Sequence, residues 1–420
     1  MEKFIINNVE VLDNLVKINF TPSKNIQKYF KEENTFFIEY NCDISKTPKS
    51  IAVIPLIASI LPMTWFTNTE IVVDELDEDF YNSLENIKKG YMDMVPNLSY
   101  GGKVFAKKIV KNIYSQNNDK KLLFFSAGVD SYYSYTKHYN ENLEFLSIWG
   151  SDIFLNQESG WIVLKNLIKE NTEKENKQIV QNNAKTNFRN FLNYEPLAEL
   201  VKDSGDEYWH GFQHSIGIIC LSAPLIFTKE IKTVYFASTL TKETLNITCA
   251  SRPAIDESVK IAETSIVHDG FEANRLQKVL SIVNFYKNKQ KPKIHVCWVQ
   301  QTGLNCGTCE KCTRTILEIL CLGGNPSDFG IPYTEQTIND IKARLLDGSL
   351  KLTNLHFLDC IDQMQNHIKT HKKLKKNKDI NWILDINTSI GQYIPSQPNS
   401  IFFRIKRKLK HIAKKILRRK

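Results

Sequence analysis

The chain of 420 residues is predicted to be an α/β protein built on a parallel β-sheet with helices on both faces. Three observations carry that expectation. From about residue 120 onward, short apolar runs of strand type alternate with stretches of helical period. The apolar runs are continuous, as expected of strands buried on both faces. The composition, 42% apolar and 24% charged, is that of a folded globular chain and excludes wholesale disorder.

The expected strands are, in order, Lys121–Phe125, Leu143–Trp149, Gln178–Gln181, Thr233–Ala237 and Lys293–Cys297. Helical stretches fall between them at about 131–140, 160–171, 186–201, 208–227 and 271–289. Five strands joined by helices imply a five-stranded parallel sheet. This main domain is expected over 116–330. Residues 1–115 read as a separate, β-rich α+β unit, in which Val16–Phe20 and Phe36–Tyr40 alternate and 70–91 reads as a strand and an acidic helix. Residues 331–400 are expected to be a helical extension, with a helix near 334–347 and a Lys-rich linker or solvated face around His371–Lys378.

The chain opens Met1, Glu2, Lys3, Phe4, with no apolar leader, and a cytoplasmic protein is expected. The run closest to a membrane span, Ile51–Phe66, is interrupted by Pro55 and Pro62 and is expected to form buried strands.

The net charge of +9 is a property of one end. Residues 401–420 carry ten Lys or Arg and no acid; without them 45 basic side chains face 46 acidic ones. The body is therefore not a basic nucleic-acid-binding surface. In the tail, Ile405, Leu409, Ile412 and Ile416 form one helical stripe behind Phe402 and Phe403. Such a basic amphipathic helix suits the anionic inner face of a membrane; nucleic acid, an acidic partner and a plain solvated tail are the other readings.

Two motifs carry chemistry. Ser126-Ala-Gly-Val-Asp-Ser131 follows the first strand of the sheet and opens a helix. Small residues there let backbone N–H groups approach phosphate oxygens, and the helix N-terminus adds positive potential. Gly128 permits close approach, Ser126 and Ser131 can donate hydroxyl hydrogen bonds, and Asp130 can cap the helix or brace the loop. Lysine is absent from the loop, so this is not the usual Walker-type P-loop. The second motif is Cys297-x8-Cys306-Gly-Thr-Cys309-Glu-Lys-Cys312, four of the nine cysteines within sixteen residues. Four thiolates at such spacings fit a closed, structural tetrahedral zinc site, with an iron–sulfur cluster as the competing occupant. A helix from about Glu310 to Leu322 would carry Cys312 at its start, where the helix dipole favours thiolate.

The loop resembles the Ser-Gly-Gly-x-Asp-Ser loop of the PP-loop ATP pyrophosphatases, with Ala127 in place of the usual glycine. A PP-loop followed 171 residues later by this cysteine pattern is similar to 7-cyano-7-deazaguanine synthase and its divergent relatives, over about 120–325. The resemblance implies the adenine-nucleotide α-hydrolase-like fold, a structural Zn2+, Mg2+-dependent use of ATP and a homodimer. It implies adenylation of a carboxylate with release of pyrophosphate, then attack by ammonia to give an amide and finally a nitrile. Carried onto this chain, Ser126, Ala127, Gly128, Val129, Asp130 and Ser131 would hold ATP, and Cys297, Cys306, Cys309 and Cys312 would hold zinc. The segments Ile148–Asp152 and Ser251–Asp256 depart from the synthase pattern, so ATP use is better supported than the deazaguanine substrate. A PP-loop tRNA-thiolating enzyme and a non-catalytic nucleotide-binding protein of a membrane assembly are the alternatives.

Further candidates lie at strand ends. Asp152, after the second strand, suits ribose or Mg2+, or a helix cap. Arg189, after the third, suits a phosphate or substrate carboxylate, or a surface ion pair. Ser238 and Thr239 follow the fourth strand and suit nucleotide or substrate. Asp256 and Arg252 are placed in a substrate or metal loop, and Asp256 joins Asp130, Ser131 and Arg189 in the candidate catalytic set. His210 and His214 share a helical face as a satisfied histidine pair. His268 is placed in a helix-entry loop with an acid–base role as one reading, and Arg275 and Lys278 either steer phosphate or coat a helix.

Overall fold

The computed structural model describes residues 1–31, 33–114, 119–175, 177–204, 209–352 and 355–395. The basic tail 401–420, with its expected amphipathic helix, lies outside the described residues. The chain divides into two compact units. The first is Met1–Cys306 with Asp328–Ile331, and the second is Gly307–Ser327 with Pro332–Lys420.

In the first unit, β1 (Glu2–Val11), β2 (Leu15–Pro22) and β3 (Thr35–Tyr40) form an antiparallel meander. Phe4 and Ile6, and then Val9, point inward; the change of phase is absorbed by a bulge between Ile6 and Asn8. Helices α1 (Lys49–Ala52) and α2 (Ile54–Phe66) follow, then β4 (Thr69–Asp77), α3 (Glu78–Met94) and β5 (Lys103–Val110). Asp77 caps α3 by accepting the Phe80 N–H at 3.0 Å.

The second half supplies β6 (Lys121–Phe124), α4 (Val129–Lys137), β7 (Leu143–Trp149), α5 (Glu158–Glu173) and β8 (Val180–Thr186). It continues with α6 (Tyr194–Val201), α7 (His210–Ile219), α8 (Ala223–Lys229), β9 (Thr233–Ala237) and α9 (Pro253–Asp256). The hairpin of β10 (Lys260–Ile261) and β11 (Thr264–Asp269) and helix α10 (Arg275–Phe285) complete it.

These eleven strands of the first unit form one sheet, in the order β10-β11-β9-β6-β7-β8-β3-β2-β1-β4-β5. Its centre, β11-β9-β6-β7-β8, is five parallel strands. From β6 the chain steps outward through β7 to β8, then returns to the other side of β6 for β9 and β11. The N-terminal strands join this sheet where β3 pairs antiparallel with β8, Ile38 opposite Thr186. No break falls near residue 115, and one core runs from Phe4 to Ile266.

The fold departs from expectation in four places. Ile51–Phe66 is helical, not stranded. Pro55 sits in the first turn of α2, where its missing N–H is harmless. Pro62 lies inside the helix, a cost of about 3 kcal/mol. Ile54, Leu56, Ile57, Ile60, Leu61 and Met63 are fully buried, at about 1.5–3 kcal/mol for each side chain, and burial wins. Among the described residues, two helical runs are apolar and long enough to cross a membrane, Lys49–Phe66 and His210–Lys229, and both are mostly buried inside the fold. The fifth parallel strand is β11, not Lys293–Cys297, and His268 and Asp269 therefore lie in a strand rather than a helix-entry loop. Lys293–Cys297 runs outside the sheet, with the Ile294 N–H on the Phe329 carbonyl and the His295 N–H on the Ala127 carbonyl at 2.8 Å. The expected helix at 186–201 is reduced to α6, because β8 continues to Thr186.

The second unit carries α11 (Glu310–Cys321), α12 (Thr337–Asp347) and α13 (Leu355–Thr370), with α11 packed on α13. The Lys-rich stretch near 371–378 is exposed and holds one helical turn, Lys372–Lys375.

An ion-pair cluster ties the C-terminal end of α4 to β11. Asp269 Oδ1 meets Lys137 Nζ at 2.8 Å and His138 Nε2 at 3.2 Å, and His138 Nδ1 meets Glu141 at 2.7 Å. Burial alone would lower His138, but Asp269 and Glu141 override it and hold the imidazole above its ordinary value of 6.5. Because the folded value is the higher one, this stabilisation is complete below pH 6.5 and is lost as pH rises through the folded value. The urea midpoint of the wild-type chain is expected to fall as pH rises above 6.5, and His138→Gln to remove that slope. Equal slopes in the two proteins would contradict this account.

Candidate functional site

In an open parallel sheet, the carboxyl ends of neighbouring strands part where the strand order reverses, and a crevice opens there. Here the reversal is at β6, flanked by β7 and β9. The segment 126–131 leaves the carboxyl end of β6 and enters α4 at this point.

The loop bends at Ala127, which has φ +58 and is fully buried. The residue that departs from the usual glycine is thus the one in the left-handed region, where alanine pays about 1–2 kcal/mol. The Ala127 carbonyl accepts the His295 N–H, which holds the bend. Gly128 is extended, at φ −79 and ψ 172, and its role is space. A Cβ there would lie 3.3 Å from Ser126 Oγ and 3.5 Å from the His295 carbonyl. No side chain caps the N-terminus of α4, and a helix start is where backbone amides and the helix dipole favour an anion. Ser126 is exposed, Val129 is buried, and the Ser131 hydroxyl donates to the Gly128 carbonyl at 3.1 Å.

Asp130 does not stand alone. Its carboxylate receives Lys278 Nζ at 3.1 Å and Arg275 Nη1 at 3.2 Å, both from α10. Two cations thus meet this one carboxylate, next to the positive end of α4. Lys278 is 1% exposed, so it does not merely coat a helix, and its ammonium also donates to the Ser238 carbonyl after β9.

The other strand ends hold different groups. Arg189, after β8, places its guanidinium against His210 (Nη2 to Nε2 2.7 Å) and over the Phe154 ring at 5.7 Å. The His210 and His214 rings meet edge to face at 4.4 Å. Asp152, after β7, has an exposed side chain, and its carbonyl accepts from Gln301 at 3.0 Å. Asp256 is the furthest from its expected place. It lies in the short helix α9, fully buried, accepting the Ser215 hydroxyl and meeting His268 Nδ1 at 2.6 Å. Burial pushes this carboxyl up, against the pull of His268 and Ser215. It faces the interior rather than an open loop. Arg252 turns back onto the Cys249 carbonyl at 2.9 Å.

The four cysteines converge: the Sγ atoms of Cys297, Cys306, Cys309 and Cys312 all lie within 4.8 Å of one another. All nine cysteines are free thiols. Four sulfurs about 2.3 Å from one ion would sit roughly 3.8 Å apart, so the cluster fits a metal ion such as zinc. Cys309 is the N-cap of α11, its Sγ accepting the Cys312 N–H at 3.5 Å, and Cys312 lies in the first turn. Gly307 has φ +72, and a Cβ there would crowd Pro332 at 3.1 Å, so only glycine turns the chain between Cys306 and Cys309 without strain.

Sequence reasoning missed Asn305. Its Oδ1 accepts the N–H groups of Val296 (2.9 Å) and Cys297 (3.2 Å), and its Nδ2 donates to the Ile294 and Gly330 carbonyls. One side chain thereby brackets the Cys297 segment beside Cys306. A lone Asn before a Cys gives no signal in sequence, because its partners are backbone atoms.

Comparisons with protein-family models, with curated proteins and with solved structures find no match to this chain.

Two outcomes are expected. Ala127→Gly should fold with stability within about 1 kcal/mol of wild type, whereas Ala127→Val, branched and left-handed in a buried bend, should lose about 2 kcal/mol or more in urea titration. The purified chain should carry one zinc per four-cysteine cluster by elemental analysis, and Asn305→Ala should weaken retention against a chelator about 10–100-fold. Iron in place of zinc would identify the competing cluster.

Proposed function

We propose that this chain is an ATP-dependent enzyme that adenylates a carboxylate, releases pyrophosphate and passes the activated acyl group to ammonia. One observation carries the reading: the small-residue loop 126–131 lies at the carboxyl end of β6, where the strand order reverses, with an uncapped helix start and two cations beside it. That is the arrangement a triphosphate requires: backbone donors, a helix dipole and cations close by. The five central parallel strands, in the order β11-β9-β6-β7-β8, support the adenine-nucleotide α-hydrolase-like fold that the loop sequence implies.

The chemistry is nucleophilic displacement at phosphorus. A carboxylate oxygen forms a bond to the α-phosphorus, the bond from that phosphorus to the bridging oxygen breaks, and pyrophosphate leaves with the electron pair. The lone pair of ammonia then attacks the acyl carbon, AMP leaves, and the nitrogen gives up its extra proton to water. The protein's task is to orient these groups and neutralise charge on the departing pyrophosphate. The amides at the start of α4, with Arg275 and Lys278, serve the second task. Mg2+ enters with the nucleotide, and Asp152 is the exposed carboxylate on the same sheet edge that suits it or the ribose. Ser131 must turn its hydroxyl from the Gly128 carbonyl toward phosphate. Arg189, stacked on Phe154 at the end of β8, suits the acid substrate. In the four-thiol site, Cys297, Cys306, Cys309 and Cys312 would hold a zinc ion whose closed coordination braces the chain and leaves no position for substrate.

Pyrophosphate release from ATP and Mg2+ in the presence of ammonia and a library of carboxylic acids is expected for the wild-type chain. Asp130→Ala and Ser131→Ala are each expected to reduce it about 100-fold. Activity unchanged by both substitutions would remove the assignment.

A further inference from the structure

Asp256, His268 and Ser238 form a buried line from α9 through β11 to the carboxyl end of β9. Asp256 Oδ2 is 2.6 Å from His268 Nδ1, and His268 Nε2 is 2.8 Å from Ser238 Oγ. The order of groups is that of a hydrolase triad, but the proton directions are not. The Ser238 hydroxyl donates to the Leu240 carbonyl at 2.6 Å, so His268 Nε2 must donate to Ser238 Oγ rather than accept from it. Ser238 and Asp256 are fully buried and His268 is 4% exposed. This serine is held, not activated.

Ser238 is fixed through every polar atom it has. Its N–H donates to the Asp269 carbonyl at 2.7 Å, its hydroxyl oxygen is bracketed by Leu240 and His268, and its carbonyl accepts from Lys278 Nζ. The same ammonium donates to Asp130 in the phosphate loop at 3.1 Å. A continuous polar chain therefore runs from the interior to the loop: Asp256, His268, Ser238, Lys278, Asp130. Lys278 has a flexible stem and, at 1% exposure, no water to settle for; where its ammonium rests depends on where the Ser238 carbonyl points. That carbonyl belongs to the first residue past β9, whose N–H is tied to β11.

We infer that Ser238 and His268 are positioning residues for the anion site. Through the Ser238 carbonyl they aim Lys278 at Asp130, and so set the grip of the 126–131 loop on a nucleotide's phosphates. The inference rests on the nucleotide reading of that loop. It gives Ser238 and His268 a positioning role in place of direct contact or acid–base work, and makes Lys278 a shared donor between loop and phosphate rather than a simple ion-pair partner.

The test is Mg·ATP affinity of the full chain by calorimetry, with thermal unfolding measured in parallel. Ser238→Ala removes only a hydroxyl and keeps the carbonyl; it is expected to weaken Mg·ATP about tenfold. Ser238→Thr, which keeps the hydroxyl, should restore the affinity. Lys278→Met should weaken binding at least as much, and the double variant no more than Lys278→Met alone. Should Lys278→Met fail to fold, Asp130→Asn takes its place in the same cycle. A Ser238→Ala chain that melts earlier but binds as wild type does would overturn the inference and leave the nucleotide reading standing, as would losses that multiply in the double variant. A wild-type chain that binds no Mg·ATP would overturn both.

Discussion

The reversal of strand order at β6 is the constraint on which the rest depends. A parallel sheet needs a crossover for every strand, and crossovers cover the carboxyl edge wherever they depart in one direction. At β6 the direction reverses: the crossover from β6 runs to β7, and the one from β8 returns past β6 to β9. Within the five parallel strands the order reverses at that point alone. The chain places the left-handed turn at Ala127 there, together with the start of α4, which no side chain caps.

Everything around the opening is arranged to hold that turn in an unfavourable conformation. Ala127 stands in the left-handed region, its carbonyl tied by His295 from a segment 168 residues further on. Asp130 is held by Arg275 and Lys278, and Lys278 is held in turn by Ser238. Such bonds give the loop one geometry before any ligand arrives, so the ordering entropy is not charged against binding. The cluster of Lys137, His138 and Asp269 does the same for the other end of α4.

The four-thiol cluster stabilises by a different route. Its ligands are close in sequence, and Asn305, the Cys309 cap and the turn at Gly307 organise them locally. A metal ion there would substitute for the regular structure this stretch lacks: among the described residues, 291–309 hold neither helix nor strand. Metal binding and folding of the stretch would then be one event.

Sequence alone determined the local features. The small-residue loop 126–131, the four cysteines, the α/β alternation and four of the five central parallel strands follow from spacing and apolar runs, which chain neighbours decide among themselves. Tertiary structure decided the rest. Ile51–Phe66 became a helix because an apolar run buried on every side has no period to read. β11, short and partly polar, became the fifth strand because β9 offered it an unpaired edge, while Lys293–Cys297, apolar enough to be a strand, was drawn to the back of the Ala127 turn. The N-terminal strands merged with the central sheet through β3 and β8, a pairing between residues nearly 150 positions apart. Asp256 and Lys278 took their places by partners on other elements. Burial and long-range partnership are properties of the folded arrangement, and no window of sequence contains both members of such a pair.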